Sequence, residues 1–287
     1  MISKYINFLR IYQSPKNILV ILPFLMNVNN FKLIPMILTF IFFLISSTFI
    51  YIINDYIDLA RDKKNPNKQS RALAQGLISK YEFLFFFIFL LFLIIFFLIY
   101  LEFKINTKLI IITYLFLAIF YSLFLKKIFI LDILIVAFFY VLRIWGGVIE
   151  AGENISIIIF ILTYLISIYI LISKRYSDSD YIQHSLYSKY NYSNTNYVSK
   201  ILNILIVLIS ILYIYFAFSN DLVVKYGNQP YYFSYIFVLL SLIYYKTATL
   251  KKLTSDPVIF LLKNYFLMFN CILWFVSILI FNNYIYV

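Results

Sequence analysis

The sequence has little of what a soluble protein depends on. Only 13% of its 287 residues are charged, against roughly 25% in soluble domains, while 64% are hydrophobic. That leaves too little polar surface to cover a globule of this size in water, so the solvent is lipid. The same composition excludes an ordinary disordered chain, which needs low hydrophobicity. Five glycines (Gly76, Gly146, Gly147, Gly152 and Gly227) leave no glycine-rich loop of the kind that cradles nucleotide phosphates. One cysteine, Cys271, allows neither an intrachain disulfide nor a cysteine-built metal site. The single histidine, His184, makes no metal site by itself. Met1 to Gln13 is amphiphilic and has no small-residue cleavage site after a short apolar core, so no removable signal peptide is expected.

What the chain does have is long apolar runs, and 22% of its residues are aromatic. Crossing about 30 Å of hydrocarbon takes roughly 20 apolar residues in a helix. Such segments fall at 17–30, 33–53, 83–101, 107–125, 128–148, 155–173, 198–219, 231–247 and 259–282. Membrane strands alternate in polarity over about ten residues, and runs such as Phe83 to Tyr100 do not alternate. The expected fold class is therefore an all-α polytopic membrane protein, a single domain over 1–287 with nine transmembrane helices.

The net charge of +12 is unusual on so apolar a chain. Placing the N-terminus in the cytoplasm puts 19 of the 24 lysines and arginines on that side. The opposite face keeps Lys32, Lys104, Lys108 and Lys225, balanced by Glu102, Glu150, Glu153 and Asp221. Positive residues favour the cytoplasmic side, so an inner (plasma) membrane protein with its N-terminus in and its C-terminus out is expected. Scattered loop lysines are what topology and anionic headgroups call for. They do not make a nucleic-acid surface, and no oligomeric state follows from them. Two cytoplasmic loops are long, at 54–82 and 174–197, and both continue directly from a membrane helix.

The first loop opens with Asn54-Asp55-Tyr56-Ile57-Asp58-Leu59-Ala60-Arg61-Asp62. Residues three or four apart share a helix face, which aligns Asn54, Asp58 and Asp62 with Asp55 beside them. Three carboxylates at a membrane interface repel one another and resist burial, unless a divalent cation neutralises them. Mg2+ takes one or two carboxylates together with substrate phosphates. The plainer reading is a solvated helix end in which Arg61, Lys63 and Lys64 pair with the acids. The common face, opening a long basic loop, favours metal and phosphate binding.

This stretch, followed by Pro66, Lys68, Arg71, Leu73 and Gly76, resembles the first signature of the UbiA-type intramembrane prenyltransferase superfamily. The usual tail places proline after the arginine, where Ala72 stands here. The resemblance implies a UbiA-like helical bundle of nine helices with a central cavity facing the cytoplasm, and Mg2+ held by Asp55, Asp58 and Asp62. The second loop opens with Ser173-Lys174-Arg175-Tyr176-Ser177-Asp178-Ser179-Asp180. Aromatic prenyltransferases of the superfamily carry a second aspartate-rich motif there. The Lys-Arg pair resembles instead the Lys-Arg-x-x-Glu signature of the polyprenyl-phosphate phosphoribosyltransferase branch, with Asp178 for the glutamate. Ser14-Pro15-Lys16-Asn17-Ile18-Leu19 with Pro23 is similar to that branch's N-terminal pattern. Leu131-Asp132 through Arg143 and Gly146-Gly147 is similar to its fifth helix. Asp256-Pro257-Val258 is similar to its last cytoplasmic loop, although Asn264 stands where an acid is expected.

The resemblance implies transfer of a 5-phosphoribosyl group from phosphoribosyl diphosphate to a polyprenyl phosphate, for cell-envelope glycan precursors. The charge balance agrees, because two phosphorylated substrates need cationic clamps besides the metal, and arginine supplies a planar fork for phosphate. Lys174 and Arg175, with Lys16, Lys68 and Arg71, are the candidate clamps, Asn54 orients the site, and Asp178 holds the cationic pair or a ribose hydroxyl. Lys174 and Arg175 also have an ordinary reading as positive flanking charge. Arg143 inside a helix is a candidate for substrate contact or for pairing with Glu150 or a carbonyl. Two other readings stand beside this one. In an aromatic polyprenyltransferase for quinone-type synthesis, Asp178 and Asp180 would bind a second metal. A transporter would need midplane charges and usually repeats, whereas the acids cluster at one face and no internal repeat is found.

Overall fold

The computed structural model describes residues 2–26, 31–64, 69–152, 156–179, 195–219 and 231–283. Among them every regular element is a helix. The chain forms two compact units, one of residues 1–135 and 139–154 and the other of residues 136–138 and 155–287.

The first unit begins with a short helix α1 (Ile2–Phe8), a 3₁₀ segment (Ile11–Val20) and a one-turn helix α2 (Leu22–Met26). The long helices α3 (Leu33–Ile57), α5 (Lys80–Tyr100), α6 (Ile105–Leu123) and α7 (Phe129–Ala151) follow, with a single turn α4 (Leu59–Asp62) after α3. The second unit holds α8 (Ile157–Ser177), α9 (Thr195–Ala217), α10 (Tyr235–Leu250, preceded by a 3₁₀ turn), α11 (Pro257–Lys263) and α12 (Tyr265–Asn283).

Seven of these helices are long and apolar enough to cross a membrane, and an eighth span results if α11 and α12, bent by 89°, count as one. The expected nine are therefore not reached among the described residues. The segment predicted at 17–30 is not a long helix. Pro15 and Pro23 lack the N–H that an α-helical ladder needs, and the chain there winds as 3₁₀ with Gln13 and Asn17 buried. The apolar run predicted at 259–282 breaks at Asn264, whose side chain accepts from the Leu267 N–H at 3.1 Å and donates to the Tyr244 hydroxyl at 2.8 Å. An asparagine with both donor and acceptor does this work where the family pattern led us to expect an acid.

Two contacts fix the irregular N-terminal stretch. Glu82 closes a capping box with Ser79 at the start of α5 and accepts from Lys4 at 2.7 Å and from the Tyr5 hydroxyl at 2.6 Å, tying α1 to that helix end. The hydrogen bond to Glu82 holds the Lys4 pKa above its ordinary value. The 3₁₀ segment lies directly on α7. A Cβ added at Gly147 would sit 2.2 Å from the Val20 carbonyl oxygen, and one at Gly146 would meet the Phe43 ring at 2.6 Å. Gly147→Ala is expected to cost about 3 kcal/mol, the upper range for overpacking, because a backbone carbonyl stands in the way. Gly146→Ala should cost less, since the Phe43 ring can turn. Thermal unfolding of the two variants in detergent gives the ranking.

Candidate active site

The helix that carries the first motif does not run through it. α3 stops at Ile57, Asp58 takes a non-helical conformation (φ −89°, ψ 0°), and one further turn ends at Asp62. The break separates Asp55 and Asp62 from Asp58 and Asn54. Asp55 and Asp62 both accept from Nη1 of Arg71, the former at 2.9 Å. Asp58 accepts from Lys126 Nζ at 2.7 Å, with Asn54 Oδ1 3.5 Å from the same ammonium. Arg61 stands 3.7 Å from Asp58, as the plainer reading of the sequence held. Arg10 forks onto Asp55 through Nε at 3.0 Å and through Nη2.

Asp55 and Asp62 are 4% and 2% exposed. Burying a carboxylate without a partner costs several kcal/mol, and here each has a cation. Burial lowers the Arg10 pKa, but Asp55, with Tyr12 and Tyr51, raises it by more, so the guanidinium stays above its ordinary value. Arg71 is aimed by a tight helical turn in which Gln75 N–H bonds the Arg71 carbonyl and Leu77 N–H bonds the Ala72 carbonyl. Gly76 closes that turn at φ +71°. The turn forms without the proline usual after the arginine, and Ala72 is buried there.

Arg10, Lys126 and Tyr51 were not singled out by the sequence. Arg10 and Lys126 read as topology charges, and their acidic partners lie 45 and 68 residues away in the chain, so no local pattern marks them. Tyr51, one helical turn before Asp55, carries the Arg10 guanidinium over its ring at 5.4 Å and the Lys16 ammonium at 6.0 Å. Lys16 thus lies over the ring one turn before Asp55. Next to it, Asn17 donates to Ser47 at 3.1 Å and accepts from Arg143 Nε at 2.9 Å. Arg143, 4% exposed, also donates to the Phe139 carbonyl at 3.1 Å and the Tyr114 hydroxyl at 3.0 Å. The expected alternative of a Glu150 partner does not hold. Glu150 accepts instead from Thr107 at 2.8 Å and the Lys104 N–H at 3.2 Å.

In the second unit, Lys174 and Arg175 lie in the last turn of α8, where cations favour the negative helix end. Asp178 follows as the C-cap residue, its N–H bonded to the Lys174 carbonyl at 3.0 Å. Asp256 caps α11, accepting from Val258 and Ile259 N–H at 3.0 and 3.2 Å. Lys68, Pro66, Asp180 and His184 lie outside the described residues.

Among the described residues no three of histidine, cysteine, aspartate or glutamate gather closely enough to hold a metal ion. The three-aspartate set is thus not assembled, because the break at Asp58 turns that side chain towards Lys126. The Asp55–Asp62 pair does suit Mg2+. Both carboxylates already converge on one cationic nitrogen, and Mg2+ commonly takes one or two carboxylates and completes its shell with phosphate oxygens and water.

The profile of the UbiA prenyltransferase family matches residues 19–270. No curated protein matches the sequence. Among solved structures, the fold is similar to that of a digeranylgeranylglyceryl phosphate synthase (TM-score 0.66, 21% identity, 98% of each chain covered). It is also similar to a UbiA homologue from Archaeoglobus fulgidus bound to DMAPP and Mg2+ (TM-score 0.68, 17% identity, 97% of this chain and 99% of that one). The same homologue bound to GPP and Mg2+ gives a TM-score of 0.58 at 18% identity, over 98% and 99% of the two chains.

Removing one partner from a buried ion pair is costly, at about 3–5 kcal/mol. Arg71→Gln, which takes a cation from both Asp55 and Asp62, is expected to destabilise the protein by about 3 kcal/mol. Arg71→Gln combined with Asp62→Asn should recover much of the loss. Unfolding of the single and double variants by denaturant in detergent measures the coupling.

Proposed function

The chain belongs to the UbiA prenyltransferase family and is a membrane-embedded transferase, and from that premise we propose that it moves a 5-phosphoribosyl group from phosphoribosyl diphosphate to a polyprenyl phosphate. The observation that carries this reading is the number of cations. Each motif aspartate of the first unit is already matched by Arg10, Arg71 or Lys126, and the second motif adds Lys174 and Arg175. A donor with a pyrophosphate and a 5-phosphate, beside an acceptor with its own phosphate, needs that many positive groups. A prenyl diphosphate and a neutral acceptor need fewer.

Asp55 and Asp62 would hold Mg2+, while Asp58 and Asn54 face Lys126. The ion, when bound, supplies charge neutralisation for the leaving pyrophosphate. Arg10, Arg71 and Lys126 change partners from carboxylate to phosphate oxygen and hold the leaving group through charge-assisted hydrogen bonds. Lys16 reaches the same region from the 3₁₀ segment, and Lys68 belongs to the same basic loop. Lys174 and Arg175 take the remaining phosphates, and Asp178 orients the pair or a ribose hydroxyl. The bond from ribosyl C1 to the pyrophosphate oxygen breaks and its electron pair leaves with pyrophosphate. A new bond forms from C1 to an oxygen of the lipid phosphate. That oxygen is already anionic, so no proton has to be removed and no general base is needed. We place the reaction at the cytoplasmic face of a bacterial plasma membrane, in the supply of glycan precursors for the cell envelope.

A second reading, prenyl transfer from a prenyl diphosphate, is favoured by one finding, the GPP- and DMAPP-bound structures of similar fold. Purified protein given labelled phosphoribosyl diphosphate, polyprenyl phosphate and Mg2+ in detergent is expected to form ribosylated lipid. Transfer from a prenyl diphosphate with no ribosylated lipid decides for the second reading. EDTA should abolish turnover and added Mg2+ restore it. Asp62→Asn should lower kcat by at least about a hundredfold, the scale of losing transition-state charge stabilisation.

A further inference from the structure

Two non-glycine residues among those described have a left-handed backbone, Arg10 (φ 50°) and Lys252 (φ 58°). Both are cations, and both lie over a tyrosine ring next to a motif. Arg10 covers Tyr51 at 5.4 Å and pairs with Asp55. Lys252 covers Tyr176 at 5.5 Å, and Tyr176 directly follows Lys174 and Arg175.

The turn at Lys252 is the Schellman close of α10. Leu253 N–H bonds the Ala248 carbonyl at 3.1 Å and Lys252 N–H the Thr249 carbonyl at 2.7 Å. The left-handed residue of that turn is usually glycine, which has no Cβ to clash. A lysine there is held against its backbone preference, and strain of this kind gathers at functional sites. The loop that follows is fastened to α8. Thr254, 0% exposed, has its hydroxyl 2.8 Å from that of Ser177 and 3.3 Å from the Ser173 carbonyl, and its N–H reaches Ser177 Oγ at 3.3 Å. These bonds fix Lys252 against the turn that carries Lys174 and Arg175. Tyr176 beneath it is fully buried, and its hydroxyl has no hydrogen-bond partner among the described residues, although buried hydroxyls are normally satisfied.

We propose that Lys252 is a phosphate-binding residue, the third cation of the second motif, which joins Lys174 and Arg175 on a phosphate group of the substrates. This rests on the transferase function set out above. The phosphate is that of the donor or that of the lipid acceptor. Both offer the same dianionic oxygens, and a lysine ammonium binds them as a point charge.

The test uses full-length protein in nanodiscs, with Mg2+, and direct binding of three probes: phosphoribosyl diphosphate, a polyprenyl phosphate and geranyl diphosphate. Lys252→Gly removes the charge and relieves the backbone, so its melting temperature should be no lower than that of the parent. Its affinity for a phosphate probe should fall about tenfold, the scale of one lost charge-assisted hydrogen bond. Lys252→Arg should keep the affinity, and Lys251→Gln, a neighbour outside the motif, should leave it unchanged. A loss confined to phosphoribosyl diphosphate identifies the donor phosphate, and one confined to the lipid identifies the acceptor. Unchanged affinity of Lys252→Gly for every probe that the parent binds overturns the proposal. So does a lowered melting temperature in both Lys252→Gly and Lys252→Asn, which tolerates the left-handed turn, because the side chain would then serve only to pack Tyr176. A parent protein that binds geranyl diphosphate but not phosphoribosyl diphosphate refutes the phosphoribosyl reading. The Lys252 comparison is then decided on the other two probes.

Discussion

The first unit depends on the neutralisation of carboxylates that are buried where α3 ends. Asp55 and Asp62 are almost inaccessible, and a charge in such surroundings persists only with a partner. Asp55 and Asp62 draw theirs from two separate places, Arg10 before the 3₁₀ segment and Arg71 from the turn closed by Gly76, and the neighbouring Asp58 takes Lys126 from after α6. Those ion pairs therefore act as tertiary ties. They gather the N-terminal stretch, the motif loop and the α6–α7 connection around one helix end, beside the apolar contacts of Phe8, Val20, Ala72 and Leu73.

The N-terminal segment answers one face of α3 with polar groups of its own. On α3, Ser47, Tyr51 and Asp55 are four residues apart and share one face. Their partners on the incoming chain run in the opposite direction: Asn17 at Ser47, Lys16 at Tyr51 and Arg10 at Asp55. Eight residues of α-helix rise about 12 Å, and the seven residues from Arg10 to Asn17, wound as 3₁₀, rise about 14 Å, so the two segments run alongside each other over the whole seam. Arg143 holds the lower end of this seam through Asn17, and Gly147, one turn further along α7, lets the Val20 carbonyl lie flat against that helix. An arginine in an apolar helix and the glycine one turn beyond it thus have one structural explanation.

Much of this was legible in the sequence, and the failures have a common cause. Long apolar runs forecast α3, α5, α6, α7, α8, α9 and α10, because length and apolarity decide whether a helix can span lipid. They did not forecast the 3₁₀ segment or the bend at Asn264, because hydrophobicity does not register a missing N–H at proline or a side chain that caps a new helix start. The Asn54–Asp62 motif drew attention to carboxylates that the structure pairs with cations, but a helical face was assumed to continue through Asp58, where the backbone leaves the helix. Arg10 and Lys126 were hidden for a different reason. Positive charge is expected at the ends of membrane helices whatever its purpose, and only three-dimensional pairing separates a basic residue that orients the chain from one that faces a carboxylate.

The backbone offers a second means of separating them. A left-handed conformation costs a residue with a Cβ roughly 1–2 kcal/mol, and topology alone gives no reason to bear it, because a lysine or arginine at any ordinary backbone angle biases orientation equally well. Strain at a cation therefore implies that the position of its charge matters, beyond its being on one side of the membrane. At Arg10 the reason is visible in the fork onto Asp55. At Lys252 the same backbone, the same seat on a tyrosine ring and the same nearness to a motif occur in a different unit of the chain, on helices unrelated in sequence. Two independent occurrences of one costly arrangement fit a protein that must hold phosphate charge at fixed points in an apolar medium, where water cannot correct a misplaced cation.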